Sequence, residues 1–143
     1  QLGMNFPGDL HNIALWSERT MLTLVTPGGN GIGDRSSTVC RGFAEGQLIA
    51  KERQVQATTL DRFCDHVDDA VLWLDVEGAE LEILKGGTEF LKRTLLISME
   101  SLNDTFMDAF TEYLTPLGFR KIGTWNEHAL PGMCDVIYKR RGA

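Results

Sequence analysis

The chain has 143 residues, of which 43% are hydrophobic and 24% are charged, an ordinary composition for one globular domain with a single core. Its formal net charge of −6 argues against a nucleic-acid partner, and the one basic cluster, residues 139–141, lies at the end of the chain. No apolar run approaches the roughly 18 to 20 residues of a membrane span, and no signal-peptide pattern is present. We therefore expect a soluble, cytoplasmic protein that binds neither nucleic acid nor membrane.

The three cysteines predict no structural cross-link. Cys40, Cys64 and Cys134 are widely spaced, odd in number and form no C-x-x-C pair. Such a pattern favours neither a disulfide framework nor a zinc site, so we expect small buried hydrophobic side chains and no bound metal.

The first part of the chain is rich in strand-forming residues. Residues 11–16 and 20–25 are β-rich runs around a polar turn, which predicts a strand followed by its hairpin partner. Residues 27–46 are rich in Gly, Ser and charge, and they predict a long surface loop. Residues 54–58 alternate as an edge strand does, and Thr59 can then cap a short helix. The apolar face of that helix is Leu60, Phe63, Cys64 and Val67.

The rest of the chain alternates strands with helices. Residues 70–75 and 95–100 are apolar runs that end on an acid, as strands buried in a parallel sheet do. A helix is predicted over 77–85, interrupted at Gly86 and Gly87 before an apolar face resumes. Asp104 or Thr105 can cap another helix that stops at Gly118, and residues 119–124 and 133–138 make two final strands.

This order of elements predicts an α/β fold. Crossover helices between strands imply a mostly parallel sheet, with helices on its faces and a terminal antiparallel strand. We expect residues 1–143 to form a single domain.

Three acids are the first candidates for chemistry. In open parallel sheets ligands bind beyond the carboxyl ends of the strands, where Asp75 and Glu100 are predicted to lie. Residues 75–80 carry three carboxylates and a glycine at a strand-to-helix turn. The alternative is structural, because Glu77 and Glu80 can simply occupy the first helical turn, where acids favour the helix dipole by about 0.3–1 kcal/mol.

Four segments in order and spacing resemble the FkbM family of methyltransferases. They are Thr58-Thr59-Leu60-Asp61-Arg62-Phe63, Leu72-Trp73-Leu74-Asp75-Val76-Glu77-Gly78-Ala79-Glu80, Ile83-Leu84-Lys85-Gly86-Gly87 and Ile97-Ser98-Met99-Glu100. Upstream, residues 12–15 and Ser36-Ser37 look like the middle portion of that family. The resemblance covers most of the chain and weakens after Gly118.

The resemblance implies a Rossmann-like, S-adenosylmethionine-dependent methyltransferase that acts on a hydroxyl of a sugar or a secondary metabolite. It implies that Asp75 and Glu77 lie near the methyl acceptor, where a base can remove the hydroxyl proton. It also implies that Asn12, Ala14 and Leu15 border the adenine and that Asp75 contacts the cofactor. Glu100 would position the substrate or bind a metal.

The chain departs from the family at its N-terminus. It opens on Gln1, without the strand, glycine-rich turn and ribose-binding acid with which such enzymes begin. Residues 29–33 have the G-x-G-x-G spacing, but Pro27 breaks the strand-to-turn junction and no good helix follows. We therefore expect the C-terminal portion of a methyltransferase domain, inactive alone.

The missing segment would leave a gap in the sheet. The resemblance places two strands, both missing here, between the strand near Asn12 and the Asp75 strand, which gives a centre-to-centre distance of roughly 14 Å at ~4.8 Å per strand. We expect the N-terminal strands to repack against the Asp75 strand, another copy to fill the edge as a homodimer, or the chain to be an incomplete part of a longer protein. An exposed edge beside Val71, Leu72 and Trp73 favours association.

Two other functions compete with methyl transfer to a small-molecule acceptor. One is a non-catalytic interaction module that has lost cofactor binding. The other is hydrolysis with a divalent metal held by Asp75, Glu77 and Glu100, although no His joins them at ligand spacing.

Overall fold

The computed structural model describes residues 8–9, 11–28, 48–125 and 133–142. The described strands are β1 (Ala14–Leu15), β2 (Thr20–Gly28), β3 (Leu48–Thr58), β4 (Ala70–Leu74), β5 (Thr94–Ser101), β6 (Phe119–Trp125) and β7 (Cys134–Arg140). The described helices are α1 (Leu60–Phe63), α2 (Glu80–Lys85), α3 (Thr88–Leu91) and α4 (Asp104–Leu114). No helix within the described ranges is long and apolar enough to cross a membrane.

These strands form two sheets, and the prediction of a mostly parallel sheet is wrong. One sheet has the order β1-β3-β2 and the other β4-β5-β7-β6. Only the β1–β3 and β4–β5 pairs are parallel, while β2–β3, β5–β7 and β6–β7 are antiparallel. A parallel pair needs a long crossover, and helices α2 and α3 supply one between β4 and β5. Elsewhere in the second sheet β7 enters between β5 and β6 and runs against both.

The predicted hairpin of the first two strands is also wrong. Strand β3 lies between β1 and β2, so it pairs in parallel with β1 and antiparallel with β2. The β2–β3 ladder runs from Thr20 opposite Ala57 to Gly28 opposite Leu48. This long ladder carries β2 through Pro27 and Gly28, the first two residues of the segment predicted as a surface loop. The rest of that segment, including the G-x-G-x-G stretch at 29–33, lies outside the described residues.

The N-terminal strands do not repack against β4. Within the described ranges β4 pairs only with β5, so its other edge carries no strand. Val71 and Trp73 on this strand are 66% and 73% exposed. The structure therefore presents an open apolar edge, which favours association with another strand.

The main core belongs to the second sheet and the helices. Its fully buried residues include Leu84 of α2, Ile97 and Met99 of β5, Phe110 of α4 and Phe119 of β6. The apolar face of α4 is therefore directed inward, as its 3.6-residue period predicts. The N-cap of α4 is Asn103, whose side chain accepts a hydrogen bond from Phe106 N at 3.2 Å, so the prediction of Asp104 or Thr105 is wrong by one or two residues.

Helix α1 joins the two sheets. Thr59 caps it as predicted, and its hydroxyl accepts a hydrogen bond from Arg62 N at 3.3 Å. Asp61 N donates to Gly86 O at 3.0 Å, and the Asp61 carboxylate accepts a hydrogen bond from Phe90 N at 2.7 Å. The helix ends at Phe63, which leaves Val67 outside it and 44% exposed.

Candidate functional site

The first candidate site is the turn that follows β4. Asp75 comes directly after the strand and is exposed, and the chain then turns through residues 76–79 before α2 begins at Glu80. Glu77 and Gly78 have φ angles of 53° and 95°, in the left-handed region. The prediction that Glu77 begins a helix is therefore wrong, because a left-handed residue cannot belong to a right-handed helix.

This turn carries backbone strain at Glu77. A residue with a Cβ in the left-handed region is disfavoured by about 1–2 kcal/mol, whereas Gly78 adopts it at no steric cost. Such strain persists only where surrounding contacts hold it, and it is concentrated at functional sites. Glu80 supplies two of the contacts that hold this turn.

The Glu80 side chain accepts hydrogen bonds from the backbone of the turn. One oxygen of its carboxylate, Oε1, accepts hydrogen bonds from Val76 N at 3.2 Å and from Gly78 N at 3.3 Å. The residue is only 1% exposed, and its other oxygen, Oε2, has no hydrogen-bond partner within the described part of the chain. Burial raises the pKa of Glu80 above its usual value, and the backbone donors oppose this effect. The charge of Asp75 adds to the increase.

Glu77 and Asp75 are two acids of this segment that lie close enough for the charge of one to act on the other. Partial burial raises the pKa of Glu77, and the negative charge of Asp75 raises it further. A carboxyl group with a raised pKa is a better proton acceptor near neutral pH than an ordinary glutamate. The arrangement can therefore attract a cation and accept a proton.

Glu100 lies at the same edge of the sheet. In the parallel register of β4 and β5, Leu74 is opposite Met99, so Asp75 and Glu100 are the next residue of each segment. Glu100 is 8% exposed, and across the sheet it pairs with Asp135 of β7. The register thus places Asp75 and Glu100 near the carboxyl end of β4 and β5, and Glu77 lies close enough to Asp75 to sense its charge. The roles of all three acids remain predictions.

The residues predicted to border the adenine lie on the other sheet. Asn12 and Ala14 line an open cleft of about 600 Å³, while Leu15 packs against the main core. The described residues that line this cleft do not include Asp75. The structure therefore brings Asn12 and Ala14 together, but it places them in a different cavity from the acidic turn.

Sequence reasoning counted Glu80 among the carboxylates of residues 75–80 and offered it a place in the first helical turn, which it has, but did not predict that it binds the turn. It missed the two arginines of the cleft, Arg19 and Arg62. The spacing of three residues between Glu77 and Glu80 is apparent in the sequence, but acids in the first turn of a helix have the same spacing. No group of three or more His, Cys, Asp or Glu side chains in the described ranges is arranged to hold a metal ion. The metal hypothesis for the three acids thus gains no support.

Comparison with known proteins gives one match. The family profile described as the methyltransferase FkbM domain matches residues 11–121, which include β1, the cleft, the acidic turn and Glu100. Searches of curated proteins and of solved structures find no significant match. Because the family profile spans most of the 143 residues, the chain belongs to the FkbM methyltransferase domain family.

Proposed function

We propose that the chain is an S-adenosylmethionine-dependent methyltransferase that methylates a hydroxyl group of a sugar or a secondary metabolite. The observation that supports this proposal is the register of β4 and β5, in which Asp75 and Glu100 are the next residues after the paired Leu74 and Met99, with Glu77 in the turn after Asp75. In parallel sheets ligands bind beyond the carboxyl ends of the strands, and β4 and β5 are the parallel pair of this sheet. Membership of the FkbM methyltransferase domain family supports methyl transfer as the reaction class.

Only part of the donor set fits this cofactor, because the acidic turn suits its positive charge while Asn12 and Ala14, expected to border its adenine, line a separate cleft. When bound, S-adenosylmethionine supplies an electrophilic methyl group on a positively charged sulfonium. Asp75 is an exposed carboxylate directly before the strained turn, and a carboxylate attracts a nearby cation, an attraction that water screens until a bound ligand excludes it. Asn12 offers a side-chain amide, and Ala14 and Leu15 offer main-chain groups, for an uncharged heterocycle.

Glu77 is the residue that we assign to proton transfer. Its raised pKa suits a general base, and it accepts the hydroxyl proton of the acceptor as the oxygen attacks. Glu100 is 8% exposed, and its carboxylate orients the acceptor by accepting hydrogen bonds from the acceptor's hydroxyl groups. Glu80 holds the turn through its two backbone hydrogen bonds, so it positions Asp75 and Glu77 without touching the acceptor.

Calorimetry on this chain tests the proposal. We expect S-adenosylmethionine and S-adenosylhomocysteine to bind, and Asp75→Asn to weaken the former at least tenfold and the latter less, because only the former carries the sulfonium charge. Asp108→Asn, which changes an exposed acid of α4, is the matched control and should leave both affinities unchanged. Absence of cofactor binding, or equal affinities for wild type and Asp75→Asn, would contradict the proposed site.

A second candidate function is favoured by the open edge of β4. Val71 and Trp73 expose apolar side chains beside a row of backbone groups that no described strand pairs. Such an edge accepts a further strand readily. On this alternative the chain is a non-catalytic interaction module that forms a homodimer through β4.

A further inference from the structure

The cleft on the first sheet carries two arginines and no acid among its described lining residues. It has a volume of about 600 Å³, and the charged side chains in its described lining are Arg19 and Arg62. The chain as a whole has a net charge of −6, so a cleft whose described lining carries two arginines and no acid stands out. Clefts lined by one sign of charge concentrate ligands of the opposite sign.

The fold gathers these arginines from distant parts of the sequence. Arg19 directly precedes Thr20, which pairs with Ala57 at the end of β3. One residue later Thr58 ends that strand, opposite Leu15. The chain then enters α1, with Arg62 in its only turn. The ends of β1 and β3 and the starts of β2 and α1 therefore meet around Thr58.

Neither guanidinium is neutralised by the described part of the chain. Arg19 and Arg62 are exposed, and no described residue forms an ion pair or a side-chain hydrogen bond with either. The acid next to Arg62 in sequence, Asp61, directs its carboxylate instead to Phe90 N at 2.7 Å and to the Thr88 hydroxyl at 3.4 Å. Both arginines are thus available to an incoming ligand.

The rest of the lining fits a ligand with a small polar body. Asn12, Gln56 and Thr58 contribute an amide or a hydroxyl, and Leu24, Val55 and Ala57 contribute apolar surface. Guanidinium groups bind phosphate oxygens through two parallel hydrogen bonds, and two of them balance the charge of a phosphate dianion. A sulfonium or an ammonium group would instead be repelled by this pair.

We propose that this cleft is a binding site for a phosphate-bearing small molecule, held at its phosphate by Arg19 and Arg62. The inference stands apart from methyl transfer, since Asp75, Glu77 and Glu100 do not contribute to the described lining. If the proposed function also holds, the adenine contacts assigned to Asn12 and Ala14 share this cleft, and the phosphate then belongs to the acceptor rather than to the cofactor.

Titration calorimetry with inorganic phosphate, glucose 6-phosphate and glucose tests this site on the whole chain. We expect saturable one-site binding of the two phosphates, no binding of glucose, and affinities at least tenfold weaker in Arg19→Gln and in Arg62→Gln. Arg120→Gln changes an exposed arginine of β6 outside the cleft and should stay within twofold of wild type. Tighter binding of glucose 6-phosphate identifies a phosphate ester as the ligand, and equal affinities identify free phosphate.

Two results overturn the inference: the absence of saturable phosphate binding to the wild-type chain, or phosphate affinities that are the same in wild type and in both cleft variants. Thermal unfolding of each variant confirms that it folds, which is expected because both arginines are exposed. The titrations contain no S-adenosylmethionine, so their failure is distinguishable from a failure of the proposed methyl transfer.

Discussion

Removal of the Glu80 carboxylate tests whether this residue holds the acidic turn. In Glu80→Ala the amides of Val76 and Gly78 lose the acceptor that lies at 3.2 and 3.3 Å, and a buried side chain is replaced by a smaller one. The strained φ angle of Glu77 then has no contact from Glu80 to maintain it. We expect both lower stability and a more mobile turn.

The size of the effect follows from the contacts. Each hydrogen bond to a charged acceptor contributes about 1.5–3 kcal/mol, and loss of the burial penalty on the carboxylate offsets part of this. Because Val76 and Gly78 are only half-buried, water can replace some of the lost acceptor. We therefore expect a net loss of about 2–3 kcal/mol, which corresponds to a decrease in Tm of roughly 6–10 °C for a chain of this length.

The pH dependence of Glu80→Gln gives an independent check. Burial raises the pKa of Glu80 in the folded state above the ordinary 4.5, so folding favours the protonated carboxyl. The wild-type chain therefore gains this stability in full below pH 4.5 and loses it as the pH rises through the folded pKa. Glutamine keeps an acceptor oxygen and never ionises, so the stability of Glu80→Gln relative to wild type should increase as the pH rises from 4.5.

Urea unfolding followed by circular dichroism, at several pH values from 4.5 to 8, measures both effects. Glu89→Ala is the matched control, since Glu89 lies on α3 and forms only an exposed ion pair with Lys92, which contributes little. Hydrogen exchange at Val76 and Gly78 reports on the turn itself. A loss below about 0.5 kcal/mol in Glu80→Ala, no larger than that of a typical surface substitution, would refute the reasoning, and so would a Glu80→Gln difference that does not change with pH.

Two further predictions concern the joint between the sheets and the open edge. A Cβ on Gly86 would overlap the carbonyl oxygen of Trp16, so Gly86→Ala should lower the unfolding free energy by about 1–3 kcal/mol, whereas Gly123→Ala, which meets no atom within 4 Å, should change it little. Equal unfolding free energies for the two variants would show that the close approach of Gly86 to Trp16 does not limit stability. If the chain dimerises through β4, sedimentation velocity should detect a concentration-dependent dimer that Val71→Lys and Trp73→Lys convert to monomer. A wild-type chain that stays monomeric at the highest soluble concentration would exclude that dimer.

Local patterns predicted the individual elements well. The apolar runs around residues 70–75 and 95–100 are strands β4 and β5, and the periodic stretch after Asn103 is helix α4. Strand β5 and helix α4 have strong local signals, because burial on both faces of a strand or on one face of a helix fixes which positions are apolar. Strand β4 has the same apolar pattern, but one of its faces is exposed at Val71 and Trp73. The carboxylates that end the two strands could be located for the same reason.

Strand pairing could not be predicted from such patterns. An alternating run specifies that a strand has two faces, but it does not specify which strand is its neighbour or in which direction that neighbour runs. The proximity of β1 and β2 in sequence favoured a hairpin, while the structure places β3 between them. Likewise, the acids of residues 75–80 fitted a helical turn, and only the φ angle of Glu77 reveals the strained loop.

The mispredicted pairing is what creates the cleft. With β3 in the centre, Leu15 at the end of β1 and Thr20 at the start of β2 both lie against its last residues, and Arg19 comes to the same end as Arg62. Arg62 lies 43 residues beyond Arg19 in the sequence, and a hairpin of β1 and β2 alone would not predict that the two are close in space. Acids at adjacent strand ends can be found from local patterns, but a pair of arginines drawn from two strand junctions depends on the topology. The arginine cleft therefore required the structure, whereas the acidic edge did not.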